Sequence, residues 1–114
     1  RVPGSVAPAT LRGGGLIDAV APYVVAVKPQ TAFFEALGSD GFRALEEVCD
    51  YARSIGILVL VDAKRGDIAS TARAYATAFL EPRESGAPLA DAVTASPYLG
   101  HDASEPFIAA CRRH

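Results

Sequence analysis

Several features that would narrow the function of this chain are scarce in it. Its two cysteines, Cys49 and Cys111, lie far apart, and neither belongs to a C-x-x-C pair. That argues against a disulfide framework or a thiolate metal site. Both are expected to be reduced and buried on apolar helix stripes of a cytosolic protein. The two histidines, His101 and His114, have no ligand spacing around them. His101 follows Gly100 and reads as a surface residue of a loop; His114 is the last residue. No basic tract stands out and the net charge is −2, so composition gives no case for nucleic acid or an anionic membrane. The longest apolar runs are strand-sized, far short of a membrane span. Residues 1–15 lack the apolar core of a signal peptide. The first residue is Arg and not Met, so the native start is read as missing.

What is present is ordinary in bulk and unusual at one place. The 114 residues suffice for one domain with a real core, and 50% hydrophobic with 21% charged residues suits a soluble globular protein. The unusual place is residues 57–71. Five apolar residues, Ile57 to Val61, read as a strand buried on both faces. Asp62, Lys64 and Asp67 follow at once. Asp62 and Lys64 are two apart and point to the same side of a strand. A buried strand ending in acid, base, acid is unfavourable unless the charges pair. Ligands bind at the carboxyl ends of strands in α/β folds. Two readings stand on the pattern alone: a structural ion pair at a sheet end, or a charge array in a catalytic site.

Along the chain, residues 1–15 are rich in Gly, Pro and Ala and read as a loop or frayed terminus. A short helix over 16–21 is stopped by Pro22. Residues 23–27 form the first strand, which delivers Lys28 to its end before Pro29 blocks pairing. A helical turn over 31–37 breaks at Gly38. Ser39 or Asp40 caps the next helix, whose buried face is Phe42, Leu45, Val48, Cys49 and Ala52, with Gly56 closing it. Beyond the charged turn, Ser70 or Thr71 caps a helix with Ala72, Tyr75, Ala76 and Phe79 at helical spacing. A strand over 91–95 ends at Ser96-Pro97-Tyr98. A last helix starts at Ser104 with Pro106 just inside and carries Phe107, Ala110 and Cys111. The order β–α–β–α–β–α means a parallel sheet with right-handed crossovers.

Three motifs at successive strand ends carry a resemblance: Lys28-Pro29-Gln30 with Ala32-Phe33-Phe34-Glu35; Asp62-Ala-Lys-Arg-Gly-Asp-Ile68 with Thr71 through Tyr75-Ala76; and Thr94-Ala-Ser-Pro-Tyr-Leu-Gly100. Together, over roughly residues 22–110, they resemble the orotidine 5′-phosphate decarboxylase family, in particular its bacterial subgroup with the Asp-Ala-Lys-Arg-Gly-Asp-Ile signature. The resemblance implies an α/β fold: a partial (β/α)8 TIM barrel with about three βα units, strands 2–4 of the family barrel. Such barrels typically take about 250 residues. The chain is therefore read as an internal fragment, a single incomplete barrel domain over 1–114 in which 1–21 match poorly and 22–114 carry the βα units. The family's first strand, with an Asp that binds the substrate ribose, has no match in residues 1–21. The later strands and their phosphate-binding loops are absent.

The implied reaction converts orotidine 5′-phosphate to UMP and CO2 in pyrimidine biosynthesis, with no cofactor and no metal. Lys64 is the implied proton donor. Asp62 and Asp67 favour its charged form, and Asp62 also crowds the departing carboxylate. Lys28 completes a Lys–Asp–Lys–Asp array and contacts the ribose and Asp62. Asp67 and Thr71 reach into the neighbouring subunit's site, which implies a homodimer; Thr71 could equally cap its helix. Arg65 is read as outward-facing and without a catalytic role, and Ser96-Pro97-Tyr98 as a loop that shapes the pocket. The implied setting is cytoplasmic, with no nucleic-acid or membrane partner. Three other readings stand beside it. A related barrel with Asp-x-Lys-x-x-Asp places its carboxylates around Mg2+ in a sugar-phosphate decarboxylase or synthase. A half-barrel with exposed sheet edges is inactive. A small flavodoxin-like domain needs a nucleotide loop, and nothing in the sequence resembles one.

Overall fold

The computed structural model describes residues 15–113. The loop expected before residue 15 and the terminal His114 lie outside them. The chain divides into two compact units, one ending at Val59 and the other beginning at Leu60.

In the first unit, residues 15–20 are helical (α1), and Pro22 sits in a 3-10 turn over Ala21–Tyr23. That turn takes Tyr23 out of the expected strand. The paired strand β1 is only Ala26–Val27, although Val25 also accepts the Leu58 N–H through its carbonyl at 3.1 Å. Helix α2 spans Thr31–Glu35, and its first turn is capped by Gln30, whose side-chain oxygen accepts the Ala32 N–H. Helix α3 spans Ser39–Ser54. Its N-cap is Gly38 at φ +68, so Ser39 and Asp40 lie inside the helix and neither caps it.

The buried stripe of α3 is Gly41, Ala44, Leu45, Val48, Cys49 and Ala52. Phe42, expected on it, is exposed. Gly41 holds that place because a Cβ there would stand 1.7 Å from the Phe34 carbonyl oxygen of α2, an approach only glycine allows. The helix ends as its sequence indicates. Gly56 lies at φ +83, its N–H bonds to the Arg53 carbonyl, and the Ile57 N–H bonds to that of Ala52. This pair of bonds is a Schellman closure, and Ile57 and Ala52, both buried, supply its apolar contact. Strand β2, Leu58–Arg65, then pairs in parallel with β1, Ala26 opposite Leu58 and Val27 opposite Val59.

The second unit holds the rest of β2, helix α4 (Ala69–Leu80), strand β3 (Ala92–Ala95) and helix α5 (His101–Cys111). Strands β2 and β3 pair in parallel, Leu60 with Ala92 and Val61 with Val93, and again at Arg65 with Ala95. Parallel strands joined through helices are the expected α/β arrangement. Helix α4 begins earlier than its capping residues suggest: Ile68 is the N-cap, with no side-chain bond, so Ser70 and Thr71 lie within the first turn. Its Ala72, Ala76, Phe79 and Leu80 are buried, and Tyr75 is half-buried at the edge of the stripe.

Helix α5 also starts early, at His101 after Gly100 at φ +109. His101 is thus helical and not in a loop, and its Nε2 lies 3.4 Å from Glu105. Pro106, expected in the first turn, sits deeper inside the helix and is buried with Ala103, Phe107 and Ala110. That stripe leaves Cys111 on its flank, exposed, whereas Cys49 is fully buried. No helix among the described residues is long and apolar enough to cross a membrane.

Candidate active site

The strand expected over 57–61 runs on through Arg65 and carries the charges within it. Val59, Val61 and Ala63 are buried; Leu58, on the alternate positions, is 56% exposed, so the strand is not covered on both faces. Asp62 shares the alternate positions with Leu58 and yet is buried. Its cover is polar. Lys64 Nζ stands 2.5 Å from Asp62 Oδ1, and the Thr94 hydroxyl donates to the same oxygen at 2.9 Å. The Lys64 side chain remains largely in solvent. A buried carboxylate is tolerable when it is both hydrogen-bonded and paired, and Asp62 is both.

The backbone here is irregular. Lys64 has φ +49, the one non-glycine residue with positive φ among those described. The pairing of β2 with β3 shifts register between Val61 and Arg65. The Lys64 N–H, turned away from a regular ladder, donates to Thr94 Oγ1 at 2.9 Å. The ladder then resumes, with the Ser96 N–H donating to the Arg65 carbonyl at 2.7 Å. Gly66 follows, where a Cβ would meet the Ser96 carbonyl oxygen at 2.8 Å. A left-handed lysine in such surroundings is backbone strain of the kind that gathers at functional sites.

Asp67 does not join Lys64 through any contact of this kind; its Oδ1 accepts the Ile68 N–H at 2.7 Å, next to the start of α4. Thr71 is half-buried in the first turn of α4. Arg65 faces away from Lys64, but against a helix and not into solvent. Its guanidinium lies 5.4 Å from the Tyr75 ring centre and 5.9 Å from that of Phe79, and donates to the Ala63 carbonyl at 3.0 Å. Tyr98, beyond Ser96 and Pro97, is 92% exposed.

In the first unit, Lys28 directly follows β1 and is exposed. It borders an otherwise apolar cavity of about 340 Å³ whose lining includes Ile17, Val20, Val27, Phe34 and Val48.

Thr94 is the site residue that sequence reasoning passed over. It was visible only as the first residue of the third motif. Its signal, a lone hydroxyl in the strand Ala92–Ala95, becomes specific only once the register sets it opposite Asp62 and Lys64.

Parallel strands alternating with helices, and a lysine–aspartate pair at the carboxyl end of one of them, define an α/β protein of the partial-barrel type. Its sequence matches the orotidine 5′-phosphate decarboxylase / HUMPS family over residues 15–114, and the chain belongs to that family. It is 51% identical over 100 residues to an orotidine 5′-phosphate decarboxylase of a Nocardioides species, covering 87% of this chain and 36% of the relative. It is 50% identical over 99 residues to that of Deinococcus radiodurans, covering 87% of this chain and 35% of the relative. Among solved structures, the orotidine monophosphate decarboxylase of Leishmania donovani matches with a TM-score of 0.79 at 44% identity, over 92% of this chain and 40% of that one. The chain spans about a third of the length of the curated relatives it matches.

Proposed function

We propose that this chain carries the decarboxylating strand ends of an orotidine 5′-phosphate decarboxylase, which converts orotidine 5′-phosphate to UMP and CO2 in the cytoplasm without a cofactor. The observation that carries the reading is the Lys64 ammonium, 2.5 Å from the buried Asp62 carboxylate at the carboxyl end of a parallel strand. Loss of CO2 breaks the bond between C6 of the pyrimidine and its carboxylate and leaves the electron pair on C6. A preorganised ammonium both stabilises that charge and supplies the proton that ends on C6. Lys64 has this role. Asp62 holds the ammonium and crowds the substrate carboxylate, whose charge departs with CO2. Lys28 binds the ribose.

By the same reading, Asp67 and Thr71 serve the site of a second copy in a homodimer, and residues 22–114 contribute successive βα units of one barrel domain, of the subgroup with the Asp-Ala-Lys-Arg-Gly-Asp-Ile signature. The second reading is a related barrel that acts on sugar phosphates with its carboxylates around Mg2+; the matched family description names HUMPS beside the decarboxylase. Turnover of orotidine 5′-phosphate, followed by the absorbance change of the pyrimidine, tests the assignment. Activity that survives a chelator supports it. Activity confined to a sugar phosphate and lost with chelation sinks it.

A further inference from the structure

We infer that Thr94 is a positioning residue that holds Lys64 and Asp62 in their working arrangement, an inference that rests on the decarboxylase reading of that pair. Between the pairs Val61–Val93 and Arg65–Ala95, three residues of β2 (Asp62, Ala63 and Lys64) face one residue of β3, Thr94. A strand with surplus residues leaves backbone groups without ladder partners. One of them is the Lys64 N–H, and the Thr94 hydroxyl oxygen accepts it at 2.9 Å.

An amide N–H can only donate, so the Thr94 oxygen is the acceptor there and its own hydrogen is free to turn elsewhere. It turns to Asp62 Oδ1, 2.9 Å away. The same carboxylate oxygen receives the Lys64 ammonium. One hydroxyl therefore ties the lysine by its backbone to the carboxylate that ties it by its side chain, and the loop of three contacts closes on itself. This accounts for a lysine at φ +49, a conformation that a residue with a side chain adopts only where its surroundings impose it. Two donors on one Asp62 oxygen favour the ionised carboxylate. The β-branched Thr94 side chain has few rotamers, which suits a residue that must aim one hydroxyl at two partners. Arg65 and Ser96 hold the next contact of the same two strands, with the Ser96 N–H on the Arg65 carbonyl.

The test uses the protein as its gene encodes it, with Thr94→Val, which keeps the volume and loses the hydroxyl, and Thr94→Ser, which keeps the hydroxyl. Two quantities are measured: kcat and KM for orotidine 5′-phosphate, and the NMR titration of the Asp62 carboxyl carbon without substrate. For Thr94→Val, kcat falls by roughly 10- to 100-fold while KM moves by less than about threefold, the pattern of a group that acts on the transition state. The Asp62 titration moves to higher pH, because its ionised form has lost a donor. Thr94→Ser restores both to near the parent values. A valine variant with unchanged kcat and an unmoved titration overturns the inference, as does a loss of kcat that serine does not recover. If valine unfolds the protein, Thr94→Ala takes its place and the same results count. A parent that does not decarboxylate orotidine 5′-phosphate sinks the functional reading alone, and the titration shift still decides whether Thr94 positions the pair.

Discussion

The two sides of β2 are built on different principles. Val59, Val61 and Ala63 are buried by apolar neighbours, and each is at most 6% exposed. On the alternate positions Leu58 is open and Lys64 stands in solvent, while Asp62 between them is buried by the groups that bond to it. The first side is held by area removed from water, which tolerates any apolar residue of about the right size. The second is held by donors and acceptors whose geometry must match, and it carries the one left-handed lysine. The contrast shows how one strand can serve stability and chemistry together. Each side answers to its own constraint, and the strand alternation keeps the two apart.

The largest expected effect comes from placing a charge on the apolar side. Val61→Asp leaves an unpaired carboxylate where the native side chain is fully enclosed, and it lowers unfolding stability by about 3–5 kcal/mol. Urea denaturation measures this, and a loss below about 1 kcal/mol would dissolve the distinction between the sides. Lys64→Ala is the converse. It takes the ion-pair partner from buried Asp62 but leaves the Thr94 hydrogen bond, so unfolding stability falls by roughly 1–3 kcal/mol, less than for Val61→Asp. Turnover of orotidine 5′-phosphate falls by on the order of 10³-fold or more. Normal turnover in this variant would end the catalytic assignment.

Gly66→Ala has an intermediate effect, roughly 1–3 kcal/mol, because a Cβ meets the Ser96 backbone oxygen and the strands must part. Thermal melting should register that loss, and an unshifted midpoint would mean that the two strands yield there freely. Leu58→Asp has the smallest effect, within about 0.5 kcal/mol, since Leu58 is already exposed. A large loss there would sharpen the comparison differently, by revealing cover on that side that the described residues do not supply.

Helix ends separate what was legible from what was not. Gly56 is legible as a helix closure because its signal is local: a glycine just past an apolar stripe, where positive φ is needed. Ser39 or Asp40, Ser70 or Thr71, and Ser104 carry the start signals, and all of them lie inside their helices. Capping preference is worth only about 1 kcal/mol, and packing readily moves a helix end by a turn. Phe42 and Cys111 failed for a related reason. Helical spacing alone does not say which of two neighbouring residues meets the partner helix, and the close backbone approach at Gly41 decided it for the first.

By itself, the sequence determined the alternation of strands and helices, the pairing of Asp62 with Lys64 and the family to which the chain belongs. Periodicity, residues two apart on a strand and motif order are all one-dimensional properties. Only the tertiary structure decided that Lys64 is left-handed, that Asp67 turns to the Ile68 N–H, that Arg65 packs against Tyr75 and Phe79, and that Thr94 joins the pair. The physical reason is register. Which residue of β3 faces which of β2 depends on how the strands slide against the helices that cover them, and three residues facing one is an outcome that no local signal encodes.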